Sequence, residues 1–125
     1  MIDQYISTAL WSSTTGDDQG TPLDEEHDAA DIAPAAREEL EAELADFFNG
    51  NAADIKLLAE QTWDYGWESV AHDFWLTRNG HGAGFWDRDT LGRDDIDAAF
   101  KRLTADAKVY GSVDLYLGDD GQIYC

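Results

Sequence analysis

The run HDFWLTRNGHGAGFWDR, at positions 72–88, contributes most to the predicted fold. Its first part, residues 72–79, is rich in aromatic and aliphatic side chains and predicts a strand. Residues 79–84 include three glycines and predict a turn. Residues 85–88 then resume as a second strand. The run therefore predicts a β-hairpin whose loop is longer than the tight two-residue kind.

Three segments on either side of this run show the 3.6-residue period of amphipathic helices. The first starts near residues 31–34, where Asp31 is a suitable N-cap and Pro34 is tolerated in the first turn. It ends at an Asn-Gly pair, as helices often do. The second helix is predicted from residue 52 to about 67. The third is predicted from about 94 to 110, with aspartates at its N-terminus where the helix dipole favours them.

Further strands are predicted at both ends of the chain. Residues 5–11 combine β-branched and aromatic side chains, and residues 113–117 and 122–124 flank a Gly-Asp-Asp-Gly turn. The order β-α-α-β-β-α-β-β favours an α+β fold, in which about three helices pack on one face of an antiparallel sheet.

The size of the chain predicts one domain. Its 125 residues weigh 13.9 kDa and are 43% hydrophobic, which is enough for a buried core. We find no internal repeat. We therefore predict a single compact domain over residues 1–125, with a long acidic loop at about 12–30.

The charge of the chain restricts its partners. There are 27 acidic and 8 basic residues, which give a net charge of −19 and a pI of about 4.1. This composition argues against direct binding of nucleic acid, because phosphate contacts need Lys and Arg. It also argues against binding to an anionic membrane surface. A basic protein is the partner that such a charge favours.

The acidic residues are densest in residues 17–46, which contain twelve acids and a single base, Arg37. On the predicted helix, Glu39, Glu43 and Asp46 recur at one-turn spacing, which places carboxylates about 5–6 Å apart. Duplex DNA carries about one charge per 1.7 Å of its axis, so such rows can resemble DNA to a basic groove. The same pattern also fits a solvated face that only confers solubility. The candidate partner-binding residues are Asp24, Glu25, Glu26, Asp28, Glu38, Glu39, Glu43 and Asp46.

Cysteine content and terminal sequence indicate a cytoplasmic protein. The single cysteine, Cys125, excludes an intramolecular disulfide and a cysteine-based zinc site. The N-terminus lacks a basic region followed by an apolar run, so no signal peptide is expected. No apolar stretch approaches the roughly 20 residues that a membrane helix needs.

The predicted hairpin offers an alternative site. His72, Asp73, His81 and Asp87 would meet across it and provide metal ligands or catalytic groups. However, the usual zinc spacings are absent, and a calcium loop starting at Asp87 would place Ala98 where a glutamate is needed. No nucleophile elbow is present. We therefore assign no catalytic residue, metal or cofactor, and we expect a binding protein rather than an enzyme.

The run at positions 72–88 resembles a segment of small uncharacterised proteins of phages and prophages. Residues 5–11 and 110–124 are similar to theirs as well, whereas residues 17–62 are the least similar. The resemblance implies a mobile-element setting but no assigned chemistry for any residue. By charge and context, the chain also resembles DNA-mimic inhibitors of restriction or CRISPR systems.

Three hypotheses follow from these features. The first is an acidic phage protein that inhibits a host nucleic-acid-binding defence complex in the host cytoplasm by imitating the charge of DNA. The second is a small metal-dependent or enzymatic module built on the hairpin with His72 and His81. The third is an accessory phage protein whose acidity only secures solubility, and which binds partners through its aromatic residues.

Overall fold

The computed structural model describes residues 2–13, 22–62, 65–80 and 83–125. Within these residues the chain forms five α-helices and one two-stranded sheet, so the prediction of an α+β fold is wrong and the protein is mostly helical. The helices are α1 (Ile2–Ser12), α2 (Pro34–Gly50), α3 (Ala52–Gln61), α4 (Trp67–Arg78) and α5 (Asp94–Val109). The strands are β1 (Tyr116–Leu117) and β2 (Ile123–Tyr124), and short 3-10 turns cover Leu23–Glu25, Ala29–Asp31 and Phe85–Asp87.

The first predicted strand, residues 5–11, is instead part of α1. Its β-branched and aromatic composition favoured a strand, but its apolar residues follow a helical period. The residues that face the core at i, i+3, i+4, i+7 and i+8 are Ile2, Tyr5, Ile6, Ala9 and Leu10. Burial of this stripe outweighs the weak intrinsic preference for strand.

The predicted hairpin at residues 72–88 is absent as well. Residues 72–78 belong to α4, and the region of the second predicted strand begins with the 3-10 turn at Phe85–Asp87. Helices α1, α3 and α5 all pack against α4, and every residue from Asp73 to Arg78 is buried. A helix enclosed on all sides has a nearly continuous apolar sequence, which is hard to tell from a buried strand by periodicity.

Helices α2 and α5 and the C-terminal hairpin agree with the predictions. The proline at the start of α2 occupies its first turn, but the N-cap is Ala33 rather than Asp31. Asp31 closes the preceding 3-10 turn, where it forms a capping box with Asp28. Helix α3 ends at Gln61, about one and a half turns before the predicted position.

The core contains a cluster of aromatic side chains from α1, α2, α4, the end of α5 and the 3-10 turn at Phe85–Asp87. Phe47 of α2 stacks on Phe74 of α4 with a ring-centroid distance of 4.1 Å, and Tyr5 of α1 stacks on the same phenylalanine at 5.5 Å. Phe85 contacts Phe47 from the turn, and Tyr110 meets Phe74 edge-on from the end of α5. The aromatic cluster therefore joins all these elements into one core.

The segment before α2 is tied to the C-terminus. The backbone N–H of Ala33 donates to the carbonyl of Ile123 at 2.8 Å, and Ile32 forms a parallel bridge with the same residue. The acidic loop predicted at about 12–30 is only partly visible, because residues 14–21 lie outside the described ranges. Its second part contains two of the 3-10 turns.

Candidate functional site

The first group of candidate acidic residues surrounds the 3-10 turn at Leu23–Glu25. Leu23 is fully buried, its N–H bonds the carbonyl of Ser13 at 2.9 Å, and the turn packs against α1. Asp24, Glu25 and Glu26 are exposed around this anchor. Three carboxylates are therefore held on the surface by one buried leucine.

Asp28 is also exposed, but its carboxylate has a local role. One oxygen accepts a hydrogen bond from the N–H of Ala30 at 2.9 Å, which caps the second 3-10 turn. In return, the Asp31 carboxylate accepts from the N–H of Asp28 at 3.1 Å and also contacts His27. Charge reversal at Asp28 would therefore disturb local structure as well as surface charge.

The second group lies on α2. The buried face of this helix comprises Ala36, Leu40, Leu44, Phe47 and Phe48. Glu38 and Glu39 lie on the opposite side and are exposed. Nearby, Glu41 accepts a hydrogen bond from Arg37 at 3.2 Å, so one acid of this helix is already neutralised by its neighbour.

Glu43 differs from the other candidates because it pairs with a buried cation. Its Oε2 accepts a hydrogen bond from Arg78 Nη2 at 3.0 Å, and the Arg78 side chain is only 1% exposed. The other oxygen, Oε1, is buried and has no hydrogen-bond partner among the described residues. Glu43 is thus partly removed from the row of carboxylates predicted from the sequence.

Asp46 is exposed, but it too has a partner within the protein. The Tyr110 hydroxyl donates to its carboxylate at 2.6 Å. Burial of the phenol raises the pKa of Tyr110, and the bond to Asp46 raises it further. This bond links the end of α2 to the residue that follows α5.

Arg78 organises the region beneath the acidic helix. Besides Glu43, it donates to the carbonyls of Tyr110 and Gly111 at 3.1 and 2.9 Å, and to the Tyr5 hydroxyl at 3.2 Å. Burial raises the pKa of Tyr5 to about 12, although the guanidinium opposes this shift. One side chain from α4 therefore holds α1, α2 and the C-terminal end of α5 together.

The structure thus divides the eight predicted residues into three sets. Asp24, Glu25, Glu26, Glu38 and Glu39 are exposed and form no ion pair with a described residue. Asp28 caps a turn. Glu43 and Asp46 bind Arg78 and Tyr110, so they position α2 and contribute less free charge.

Because residues 72–88 do not form the predicted hairpin, the residues of the alternative site are arranged differently from the prediction. Asp73 is 1% exposed, and its oxygens accept from Tyr65 Oη at 2.7 Å and from two nitrogens of Arg88 at 2.7 and 2.8 Å. The guanidinium of Arg88 also lies 5.1 Å from the centre of the Tyr65 ring. Asp73 is therefore part of a satisfied buried ion pair that ties α4 to the segment after it.

His72 and Asp87 line a small cavity of about 160 Å³ together with Asp73. His72 Nδ1 lies 2.7 Å from Thr8 Oγ1, and burial lowers the pKa of this histidine, while the Asp73 carboxylate opposes the shift. His81 lies outside the described residues. Among the residues that are described, no group of three or more His, Cys, Asp and Glu side chains could hold a metal ion.

Sequence reasoning did not identify Arg78 and Arg88 as organising residues. Both lie in the run at positions 72–88, which was interpreted as strands. A helical interpretation of this run would have indicated Arg78, which falls in the last turn of α4, where cations are favoured. No local pattern indicates Arg88.

No family model, curated protein or solved structure matches this chain. In the described part of the chain, no helix is long and apolar enough to cross a membrane.

Proposed function

We propose that the chain is an acidic phage-derived binding protein that inhibits a host nucleic-acid-binding defence complex. In this proposal the exposed acids at 24–26 and on α2 occupy a groove lined by Lys and Arg that otherwise holds nucleic acid. A CRISPR effector or a restriction enzyme is a suitable target, because such proteins hold nucleic acid in basic channels. The protein would act by binding in the host cytoplasm, without catalysis.

The observation that supports this proposal most strongly is the outer face of α2. Glu38 and Glu39 are exposed there and form no ion pair with a described residue, and the exposed residues beside them include Ala35 and Ala42. Because alanine side chains are short, a partner could reach the carboxylates without obstruction.

The Arg78 network supports the proposal by making the acidic helix rigid. Glu43 and Asp46 fix α2 to α4 and to the end of α5 from below. A charged surface that is already ordered loses little conformational entropy on binding, so more of its electrostatic attraction is retained as affinity. Complementary charge would also accelerate association at low salt.

Charge reversal tests this proposal. The variant Glu38→Lys/Glu39→Lys together with Glu25→Lys removes three exposed carboxylates and changes the net charge by six. A matched control reverses three exposed acids elsewhere, at Glu60, Asp114 and Asp119. We expect the first variant to lose competition with DNA for the target, and the control to retain most of it. Equal loss in both variants would indicate an effect of net charge alone.

A second mode of binding is favoured by three exposed tryptophans. Trp11, Trp67 and Trp86 are 47%, 48% and 56% exposed, although tryptophan usually buries most of its surface. If the acidity only provides solubility, these side chains are the expected contacts with a virion partner or a second copy. Sedimentation at increasing protein concentration tests contact with a second copy, because this contact predicts self-association and the electrostatic mode does not require it.

A further inference from the structure

A groove between α5 and residues 85–90 differs from the rest of this acidic surface. Its volume is about 380 Å³, which is within the range of small-molecule sites. One wall is a face of α5 whose residues recur at helical spacing, namely Asp97, Phe100, Lys101, Thr104, Ala105 and Lys108. The facing wall is formed by Phe85, Trp86, Arg88 and Thr90.

The facing wall is fixed by contacts with α4. The N–H of Phe85 donates to Thr77 Oγ1 at 3.1 Å, and the Phe85 ring is fully buried. Gly84 has φ +149, and a Cβ at this position would lie 2.3 Å from Thr77 Oγ1. Arg88 is held by its two hydrogen bonds to Asp73. The groove is therefore formed before any ligand arrives.

The lining of the groove is less acidic than the rest of the chain. Three of the eight Lys and Arg residues line it, but only one of the 27 acids does. That acid, Asp97, is paired with Lys101 at 2.8 Å. Lys108 forms no ion pair with any described residue. Arg88 bonds Asp73 through Nε and Nη2, and no described residue bonds its Nη1.

The rim of the groove carries a planar apolar surface. Trp86 is 56% exposed, next to the buried Phe85. Stacking of a ring on an exposed aromatic side chain contributes about 1–3 kcal/mol in nucleotide-binding proteins. The two threonines that line the groove offer hydroxyl groups to polar atoms of the same ligand.

We propose that this groove binds a small planar aromatic anion, with the ring on Trp86 and the anionic group at Lys108 and Arg88. Both a nucleoside monophosphate and an aromatic carboxylate have this chemistry. The net charge of −19 does not prevent binding, because charges more than about 8 Å away are largely screened at physiological ionic strength. The site is separate from the acidic surface of the proposed function and does not depend on it.

Titration of the isotope-labelled protein, followed by NMR, tests the site directly. The probes are adenosine monophosphate and indole-3-acetate, and the half-ligands are adenosine and inorganic phosphate. The five tryptophan indole N–H signals report the location of binding. We expect at least one of the two aromatic anions to shift the Trp86 signal selectively, and to bind more tightly than the half-ligands. The anion that binds more tightly shows whether the site recognises a phosphate or a carboxylate group.

Two variants and two controls assign the contacts. We expect Lys108→Ala to weaken binding by about tenfold through loss of a charge-assisted hydrogen bond. Trp86→Ala should weaken it by about 5- to 150-fold, which corresponds to the stacking contribution. Lys56→Ala and Trp11→Ala alter an exposed lysine and a similarly exposed tryptophan elsewhere, and should leave affinity unchanged. The proposal would be overturned if neither aromatic anion shifts the Trp86 signal at millimolar ligand. It would also be overturned if the preferred anion binds no more tightly than the same ring without its anionic group, or if Lys56→Ala and Lys108→Ala have equal effects.

Discussion

Arg78 Nη2 donates a hydrogen bond to Glu43 Oε2 at 3.0 Å, and this bond joins the last turn of the central helix α4 to the acidic helix α2. The same guanidinium reaches the carbonyls of Tyr110 and Gly111 at the end of α5. The buried cation therefore compensates the acidic helix from inside the fold and satisfies helix-terminal carbonyls that would otherwise lack partners. It also explains why Glu43, alone among the acids of α2, points partly inward.

Replacement of Arg78 should be among the most destabilising substitutions in the chain. We expect Arg78→Ala to lower the free energy of unfolding by about 3–5 kcal/mol, because Glu43 would keep a partly buried charge without a partner. Arg78→Lys should lower the free energy of unfolding by less, because lysine keeps the positive charge. It should still be destabilising, because lysine lacks the planar fork of donors. Urea denaturation provides the measurement.

The matched control for Arg78 is Arg102. Its guanidinium pairs with Asp54 at 2.6 Å, but its side chain is 58% exposed. We expect Arg102→Ala to lower stability much less than Arg78→Ala, because surface ion pairs contribute little. A similar loss for Arg78→Ala and Arg102→Ala would contradict the role assigned to the buried network.

Stability should decrease at alkaline pH because buried tyrosines must lose protons. Burial raises the pKa of Tyr5 from 10.0 to about 12, and burial also raises the pKa of Tyr65, with the Asp73 carboxylate adding to the effect. The unfolded chain therefore releases these protons first. The stability due to the neutral phenols is complete below about pH 10 and is lost as the pH rises through the folded-state values.

The free energy of unfolding measured between pH 9 and 11 tests this expectation. Each tyrosine contributes a slope of at most about 1.4 kcal/mol per pH unit, so Tyr65→Phe should be less stable at neutral pH but show a shallower alkaline decline. Burial raises the pKa of the Cys125 thiol from 9.0 to about 11, so this group also contributes to the alkaline slope. Cys125 must therefore be replaced by serine in every sample. An unchanged slope in Tyr65→Phe would show that this phenol does not control the transition.

Gly84 should not tolerate a side chain. Its φ of +149 is unfavourable for other residues, and an added Cβ would collide with Thr77 Oγ1. We expect Gly84→Ala to cost about 1–3 kcal/mol by displacing the turn that seats Phe85. Gly50→Ala, at the end of α2, has open space around it and should be neutral or slightly stabilising. Thermal unfolding of the two variants compares them, and equal melting temperatures would refute the close contact.

The sequence allowed part of this fold to be predicted. Helices α2 and α5 were recognised because each has one apolar stripe and one charged face, which is the clearest periodic signal a helix gives. The turn between β1 and β2 was recognised from its glycines and aspartates, and Gly121 adopts φ +81 there. In these elements, the local sequence preference and the pattern of burial favour the same secondary structure.

The central elements were predicted wrongly because their burial hides the period. Helix α4 buries Phe74, Trp75 and Leu76 in succession, since neighbours surround it. In α1, aromatic and β-branched composition was given more weight than the spacing of Tyr5, Ile6 and Ala9. Four of the eight candidate acids lie on α2 as predicted, namely Glu38, Glu39, Glu43 and Asp46. The pairing of Glu43 with Arg78 and of Asp46 with Tyr110 depends on contacts between distant segments, which no local pattern reveals.

The most direct test of the proposed function is affinity capture from host lysate at low and then high salt, followed by displacement with DNA. We predict that a basic nucleic-acid-binding complex is retained at low salt, released at high salt and displaced by DNA. Capture should be lost with Glu25→Lys/Glu38→Lys/Glu39→Lys and retained with the matched reversal at residues 60, 114 and 119. Capture that persists in the first variant, or a partner that neither salt nor DNA releases, would contradict binding through the acidic surface.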